Sequence, residues 1–285
     1  VLTTAIENCA GSVIWNADSH GFAYRLVNEN WRPDKALYRE LTSGEDTLLY
    51  QEKDDSFFVG LGLSQSEQLM FISSGDHVTS EVRFVPRDNL RAEQTLIATR
   101  REGHEYDVEH QGDDAKTGRL IIRSNRNHPN FDLFETPVAT PEEVHWQILL
   151  PGDESHYLMG HVAFADALIV CLRINGLDQV QIADNSGSHL IEFPEPACSV
   201  DLGTNPNYRT NALRLAYTSM VTPHTVFDYH WQTKSLMRLK VQEIPGGYEA
   251  SDFVSERRQV IARDGAQVPM SVVRHKDTPM DGTAP

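Results

Sequence analysis

Serines beside glycines are the first pattern to test, because serine hydrolases carry their nucleophile in a G-x-S-x-G turn supported by an aspartate and a histidine. No such pentapeptide occurs in the 285 residues. Four serines that flank a glycine are interpreted as parts of hairpin turns: Ser12, Ser74, Ser186 and Ser188. We therefore expect no catalytic residue within this chain.

Histidines and cysteines are the next candidates for chemistry. The sequence has twelve histidines but no HExxH motif, and the closest pairs lack a strong metal-site spacing: His104 and His110, His156 and His161, and His224 and His230. Three cysteines, Cys9, Cys171 and Cys198, fit neither a disulfide framework nor a Cys-rich zinc site. We expect no metal and no cofactor, and a reducing, cytoplasmic compartment.

One acidic stretch has the alternation of a strand. Glu105, Asp107 and Glu109 alternate with Tyr106 and Val108, so on a strand the carboxylates project to one side and the apolar pair to the other. This acidic face is either an ordinary solvated surface or a site that steers cationic substrates. Other acidic groups fall at predicted turns, where we expect solvation: Glu52 with Asp54 and Asp55, Glu142 with Glu143, and Asp153 with Glu154.

The net charge of −16 narrows the class of partner. Nucleic acids are bound through clustered Lys and Arg, so this balance argues against them and favours cationic partners. A protein that is acidic only for the sake of solubility would have the same net charge. No run approaches the roughly 18 apolar residues of a membrane span, so we expect no membrane partner.

The elements that must position these residues are strands. Short runs of Val, Ile, Leu, Tyr and Phe recur between turn residues, and no segment carries a 3.6-residue apolar stripe of helical length. The sequence predicts an all-β chain. Its clearest strands are residues 21–27, 47–52, 57–63, 69–73, 81–85, 120–124, 144–150, 167–174 and 179–183.

These strands group into a repeat of roughly 40 to 48 residues, the length of a four-stranded propeller blade. Five units fit the chain, and they begin near Val13, Phe57, Glu105, Tyr157 and Ser199. The period alone is also compatible with a sandwich or several small barrels. The repeat therefore favours five serial hairpin units without deciding between these architectures.

The carboxyl-terminal part changes in character after Glu243. Residues 244–248 (IPGGY) form a turn-rich break, and residues 248–256 have room for one helical turn. Two alternating strands, 257–263 and 267–274, then flank the pair Asp264 and Gly265. Such a pair between alternating strands is the strongest short hairpin signal.

This carboxyl-terminal part also carries a family resemblance. The segments 242–248 (QEIPGGY), 255–257 (SER) and 263–271 (RDGAQVPMS) resemble the oligopeptidase B (protease II) group of the prolyl oligopeptidase family of serine peptidases. Further segments resemble the same family in the same order: 73–77 (SSGDH), 79–82 (TSEV), 105–110 (EYDVEH), 193–197 (FPEPA), 217–223 (YTSMVTP) and 227–229 (FDY). The resemblance covers essentially the whole chain.

The resemblance implies an architecture. Its members have a seven-bladed propeller over an α/β-hydrolase domain, so about five blades are expected within residues 1–243, an interdomain linker or hinge within 244–256, and the truncated start of the hydrolase domain within 257–285. The catalytic triad would then lie beyond Pro285.

The resemblance also implies a function. The propeller would gate access to a peptidase that cleaves short peptides after Lys or Arg, and short basic peptides and the hydrolase domain in cis would be its partners. Two alternatives stay open at this point. One is a propeller that binds peptides or proteins alone. The other is a related member with proline-directed or dipeptidyl activity.

Overall fold

The computed structural model describes residues 5–284 and consists almost entirely of antiparallel β-structure. Within these residues there are 22 strands and two short 3₁₀ helices, at Glu143–His145 and Ala250–Asp252. No helix in the described range is long and apolar enough to cross a membrane. The prediction of an all-β chain is confirmed.

Twenty of the strands form five four-stranded sheets in which each strand pairs with the next along the chain. Sheet 1 contains β1 (Ile14–Trp15), β2 (Gly21–Val27), β3 (Pro33–Glu40) and β4 (Asp46–Gln51). Sheet 2 contains β5 (Phe58–Leu63), β6 (Leu69–Gly75), β7 (Ser80–Pro86) and β8 (Thr95–Leu96). Sheet 3 contains β9 (Tyr106–Gln111), β10 (Arg119–Ser124), β11 (Asp132–Pro137) and β12 (Gln147–Leu150).

The remaining sheets follow the same order. Sheet 4 contains β13 (His156–Ala163), β14 (Ala167–Ile174), β15 (Leu177–Asp184) and β16 (Gly187–Leu190). Sheet 5 contains β17 (Cys198–Leu202), β18 (Ala212–Ser219), β19 (Thr225–His230) and β20 (Ser235–Val241). The first strands of the five sheets begin within one residue of the five predicted repeat starts.

The last two strands form a separate hairpin of β21 (Phe253–Ile261) and β22 (Gln267–His275). Gly265 has a φ of +86°, a conformation that glycine adopts without steric cost, and its N–H donates to Ala262 O at 2.9 Å. The predicted hairpin and its turn are therefore confirmed. The single helical turn expected in residues 248–256 is the 3₁₀ helix at Ala250–Asp252.

Two predictions about the strands are wrong in detail. The strand expected over residues 144–150 begins only at Gln147, because Val144 lies in the 3₁₀ helix Glu143–His145. The predicted turn position of Ser74 is also wrong, because this residue lies inside β6 and is buried. Val144 is an isolated apolar residue and Ser74 is polar. The position of each depends on spatial neighbours that the local sequence does not show.

The chain divides into two compact units, Val1–Asp153 with His161–Ala165, and Glu154–Gly160 with Asp166–Pro285. In the first unit, sheet 2 is buried on both faces. Side chains alternate along β6, so Met70 and Ile72 pack in a cluster with sheet 1, whereas Leu69 and Phe71 pack in a cluster with sheet 3. Burial on both faces explains why this strand is an unbroken apolar run and not an alternating one.

The second unit contains sheets of two kinds. In β14 of sheet 4, four consecutive side chains from Ala167 to Val170 are buried, as in β6. In β18 of sheet 5, Leu213, Leu215 and Tyr217 are buried, and the residues between them are not. Arg214 on that other side makes two hydrogen bonds of 2.9 Å to Asp228. One face of sheet 5 is therefore apolar and the other polar.

Candidate functional site

The strand that carries the acidic stretch, β9, is fixed to sheet 2 by Tyr106. The Tyr106 hydroxyl accepts a hydrogen bond from Val82 N at 2.7 Å and donates to Ala98 O at 2.8 Å. Ser80 Oγ donates to Tyr106 O at 2.8 Å and accepts from Tyr106 N at 2.6 Å. Burial raises the pKa of Tyr106 to about 12, so the hydroxyl keeps its proton for this contact.

The predicted division of side chains along β9 is present. Tyr106 lies in the core cluster shared by sheets 2 and 3, and Val108 packs against that cluster. Glu105, Asp107 and Glu109 are on the other side of the strand, and all three are partly accessible to solvent. The structure thus brings the three carboxylates to one face, but it gives each of them different neighbours.

Asp107 is a paired carboxylate. Arg123, its direct partner on β10, donates from Nε to Asp107 Oδ2 at 2.6 Å. His161 Nδ1 is 3.4 Å from Asp107 Oδ1, and the His161 side chain is only 1% exposed. Burial lowers the pKa of His161, whereas the Asp107 charge acts in the opposite direction. The sequence pattern of β9 alone gives no signal of Arg123, because the strand register decides which residue lies opposite Asp107.

Glu109 is held by backbone groups. Its Oε1 accepts hydrogen bonds from Gln65 N at 2.9 Å and from His110 N at 2.7 Å. Burial raises the pKa of Glu109 to about 7; the two N–H groups oppose this shift, and the Asp107 charge adds to it. Glu109 is therefore only partly ionised near neutral pH.

Glu105 has the least confined carboxylate of the three. Its backbone N–H donates to Asn125 Oδ1 at 2.9 Å, and its Oε1 is 3.4 Å from Asn125 Nδ2. The acidic face consequently combines one weakly held carboxylate, one that is paired with arginine, and one that titrates near neutrality. Its negative potential is smaller than three full charges would produce.

Glu52, which we expected to be solvated at a turn, is buried instead. Ser74 and Arg100 donate to its Oε2, the latter at 2.5 Å, and the next two backbone N–H groups donate to its Oε1 at 2.8 and 3.0 Å. Burial alone would raise the pKa of Glu52, but these donors outweigh it and lower the pKa to about 2. The expectation for Glu52 is therefore wrong, and the cluster is a structural ion pair.

A serine and a histidine do meet, at a place that sequence reasoning missed. Ser66 Oγ lies 2.6 Å from His110 Nδ1, and His110 Nε2 is 3.0 Å from Thr117 O. Both side chains are buried, and the ring is oriented by a carbonyl group and not by a carboxylate that would stabilise an imidazolium. Burial also lowers the pKa of His110. The pair joins the 64–67 turn to β9 and has no access to a substrate.

The other candidates also have local roles. Ser186 Oγ donates to Asp184 Oδ1 at 2.5 Å within a turn, and Ser188 Oγ accepts from Gln181. Burial raises the pKa of the Cys171 thiol to about 11. Within residues 5–284, no group of three or more His, Cys, Asp or Glu side chains is arranged to hold a metal ion.

Comparisons with known proteins are consistent with these repeated sheets. Residues 1–242 match the model of a family described as the prolyl oligopeptidase N-terminal beta-propeller domain. The chain belongs to this family. Each four-stranded sheet is thus a propeller blade, and the predicted propeller fold is confirmed.

Relatives within the family have peptidase names. The chain is 31% identical over 278 residues to Protease 2 of Moraxella lacunata, with 96% of this chain and 39% of that protein covered. It is 30% identical over 295 residues to dipeptidyl aminopeptidase BI of Pseudoxanthomonas mexicana, with 100% and 39% covered. The chain thus spans about two fifths of the length of these relatives.

A solved structure is similar over almost the whole chain. It is oligopeptidase B from Trypanosoma brucei with covalently bound antipain in a closed form, with a TM-score of 0.86 and 25% identity. The similarity covers 98% of this chain and 41% of that one. In this propeller family, β9 is the first strand of the third blade present here, so the acidic face lies on a strand that begins a blade.

The environment of Glu109 predicts a pH effect on stability. A carboxyl whose folded pKa is raised from 4.5 to about 7 holds its proton in the folded state while the unfolded chain releases it. The free energy of unfolding therefore decreases as the pH rises from 4.5 to about 7, by up to about 3 kcal/mol. Glu109→Gln should remove this loss, so its free energy of unfolding relative to wild type should be higher at pH 8 than at pH 4.

The measurement is urea unfolding at both pH values, with Glu105→Gln as the control because it removes a neighbouring carboxylate from the same face. We expect the control to differ from wild type by less than about 0.5 kcal/mol at each pH. A Glu109→Gln difference that does not change between pH 4 and pH 8 would show that Glu109 is an ordinary solvated carboxylate.

Proposed function

We propose that this propeller admits short peptides to an α/β-hydrolase domain in cis, in a serine oligopeptidase that cleaves after Lys or Arg. The observation that carries the proposal is the similarity to oligopeptidase B of Trypanosoma brucei over 98% of this chain, together with 31% identity to Protease 2. A folded protein is too wide for a narrow passage through a propeller, so only short chains reach a buried site. The propeller thus contributes selection by size and not a catalytic group.

The same proposal assigns the segments of the chain. Residues 1–243 form the propeller part, 244–256 a linker that serves as a hinge, and 257–285 the opening of the hydrolase domain. Three features support these bounds: the family match ends at residue 242, the last blade strand ends at Val241, and the separate hairpin begins at Phe253. We also propose a cytoplasmic location, which the three free cysteines support.

A second candidate follows from a relative's name. The similarity to dipeptidyl aminopeptidase BI, at 30% identity, favours removal of dipeptides from an amino terminus as the alternative activity. A third possibility is a propeller that binds peptides without hydrolysis. The three differ in what the complete protein does to one set of peptides.

The first test is therefore a comparison of substrates. The protein at its natural length should hydrolyse blocked peptides at an internal Arg or Lys at least about a hundredfold faster than matched peptides with Pro or Ala at that position. The 285-residue chain alone should hydrolyse neither, because it has no G-x-S-x-G sequence and its buried Ser66–His110 pair cannot reach a substrate.

The outcomes are separable. Release of dipeptides from unblocked peptides, without internal cleavage, would support the dipeptidyl alternative. Binding of basic peptides without any hydrolysis by the complete protein would support a binding module and contradict the proposal.

We further propose that Glu105, Asp107 and Glu109 help to draw cationic peptides towards the passage. In the full-length protein, Glu105→Gln, Asp107→Asn and Glu109→Gln together should lower kcat/KM for dibasic peptides by about two- to fivefold and leave kcat nearly unchanged. The effect should be smaller above 0.1 M salt, where the Debye length is about 10 Å. It should also be larger at pH 8 than at pH 6, since Glu109 ionises near pH 7.

The control removes the same number of charges at exposed positions elsewhere, as Glu45→Gln, Asp55→Asn and Glu102→Gln. Initial rates across salt concentrations would be compared for both triple variants. An equal change in kcat/KM for the two variants would mean that net charge alone, and not the β9 face, attracts the substrate.

A further inference from the structure

The turn between β14 and β15 presents a rigid carbonyl group. Ile174 pairs with Leu177, so the loop consists of Asn175 and Gly176 alone, with φ values of +51° and +75°. Two positive φ values at an Asn-Gly pair define a type I′ turn, which matches the twist of the flanking strands. The hydrogen bond of such a turn uses the first carbonyl, so Asn175 O stays available for another donor.

Arg257 of β21 occupies this carbonyl. Its guanidinium donates through one terminal nitrogen to Asn175 O at 2.5 Å and through the other to Ser271 Oγ at 2.7 Å. Ser271 lies directly opposite Arg257 on β22. One side chain thus joins both strands of the hairpin to a blade turn, through charge-assisted bonds that are about twice as strong as neutral ones.

The adjacent arginine does not share this role. Arg258 points to the opposite face of β21 and pairs with Glu256 of the same strand at 2.5 Å. Arg274 of β22 also pairs with Glu256, at 3.0 Å. These contacts stay inside the hairpin, whereas the Arg257 contact crosses from the hairpin to sheet 4.

A cavity of about 480 Å³, which is broadly open to solvent, lies beside this contact. The turn contributes Gly176 to its wall, and the hairpin contributes Ser271. Cys198 at the start of β17 and Met220, which follows β18, also line it. The Cys198 thiol is half-buried, and burial raises its pKa. Cys198 therefore reports whether the hairpin stays beside the cavity, because the rate of thiol alkylation depends on access and on thiolate fraction.

We propose that Arg257 is a latch that holds the β21–β22 hairpin against the β14–β15 turn, and that its release removes the hairpin side of the cavity lined by Cys198. This consequence rests on the proposed function: in such a peptidase, release would loosen the start of the hydrolase domain and so precede opening of the hinge. The latch itself needs no hydrolytic activity.

The test measures alkylation of Cys198 by a maleimide in the protein at its natural length, with peptide mass spectrometry and exposed Cys9 as the internal reference. Arg257→Ala should accelerate the labelling of Cys198 by about five- to tenfold, the effect of losing the one charge-assisted hydrogen bond that crosses from the hairpin to the turn. The control variant Arg258→Ala should leave the rate within about twofold of wild type.

A second variant disturbs the turn without changing the arginine. Gly176→Ala places a Cβ at a φ of +75°, which strains the turn that presents Asn175 O, so it should also accelerate labelling. An unchanged rate in both Arg257→Ala and Gly176→Ala, or an equal increase in Arg258→Ala, would overturn the latch. Because labelling needs no substrate, an inactive protein would contradict the proposed function and leave this result intact.

Discussion

The structure depends on the burial of both faces of a sheet. The side chains of β6 alternate between two clusters, so sheet 2 cannot exist in water without sheets 1 and 3. Each fully buried Leu or Ile contributes about 1.5 to 3 kcal/mol relative to exposure, and every such side chain in β6 depends on a neighbouring sheet. The repeating unit is therefore the sheet, and the stable unit is a stack of sheets.

This dependence also explains the character of the acidic face. The first strand of sheet 3 must be fixed to sheet 2, and the Tyr106 hydroxyl and Ser80 do so through backbone groups of both sheets. The same strand then holds Glu109 against the 64–67 turn and Asp107 against Arg123. These contacts therefore offset part of the negative electrostatic potential of the carboxylates. The remaining potential is available to attract cationic peptides.

The sequence alone was sufficient to predict the repeats, because the strand period and the turn residues are local properties. The starts of the five sheets and the Asp264–Gly265 hairpin follow from neighbours along the chain. The environments of Glu52 and Asp107 do not, since Arg100 is 48 residues from Glu52 and Arg123 is 16 residues from Asp107. A carboxylate at a strand end has the same sequence pattern whether it is solvated or buried beside an arginine, and only the register distinguishes them.

The most direct test of the stacked-sheet account is native-state hydrogen exchange of the Tyr106→Phe variant. Loss of the hydroxyl leaves Val82 N–H and Ala98 C=O without their partner, which should cost about 2 to 3 kcal/mol. If sheets 2 and 3 are stable only together, the protection of amides in β6 and in β10 should fall by the same amount. A loss of protection confined to sheet 3, with β6 unchanged, would contradict the account.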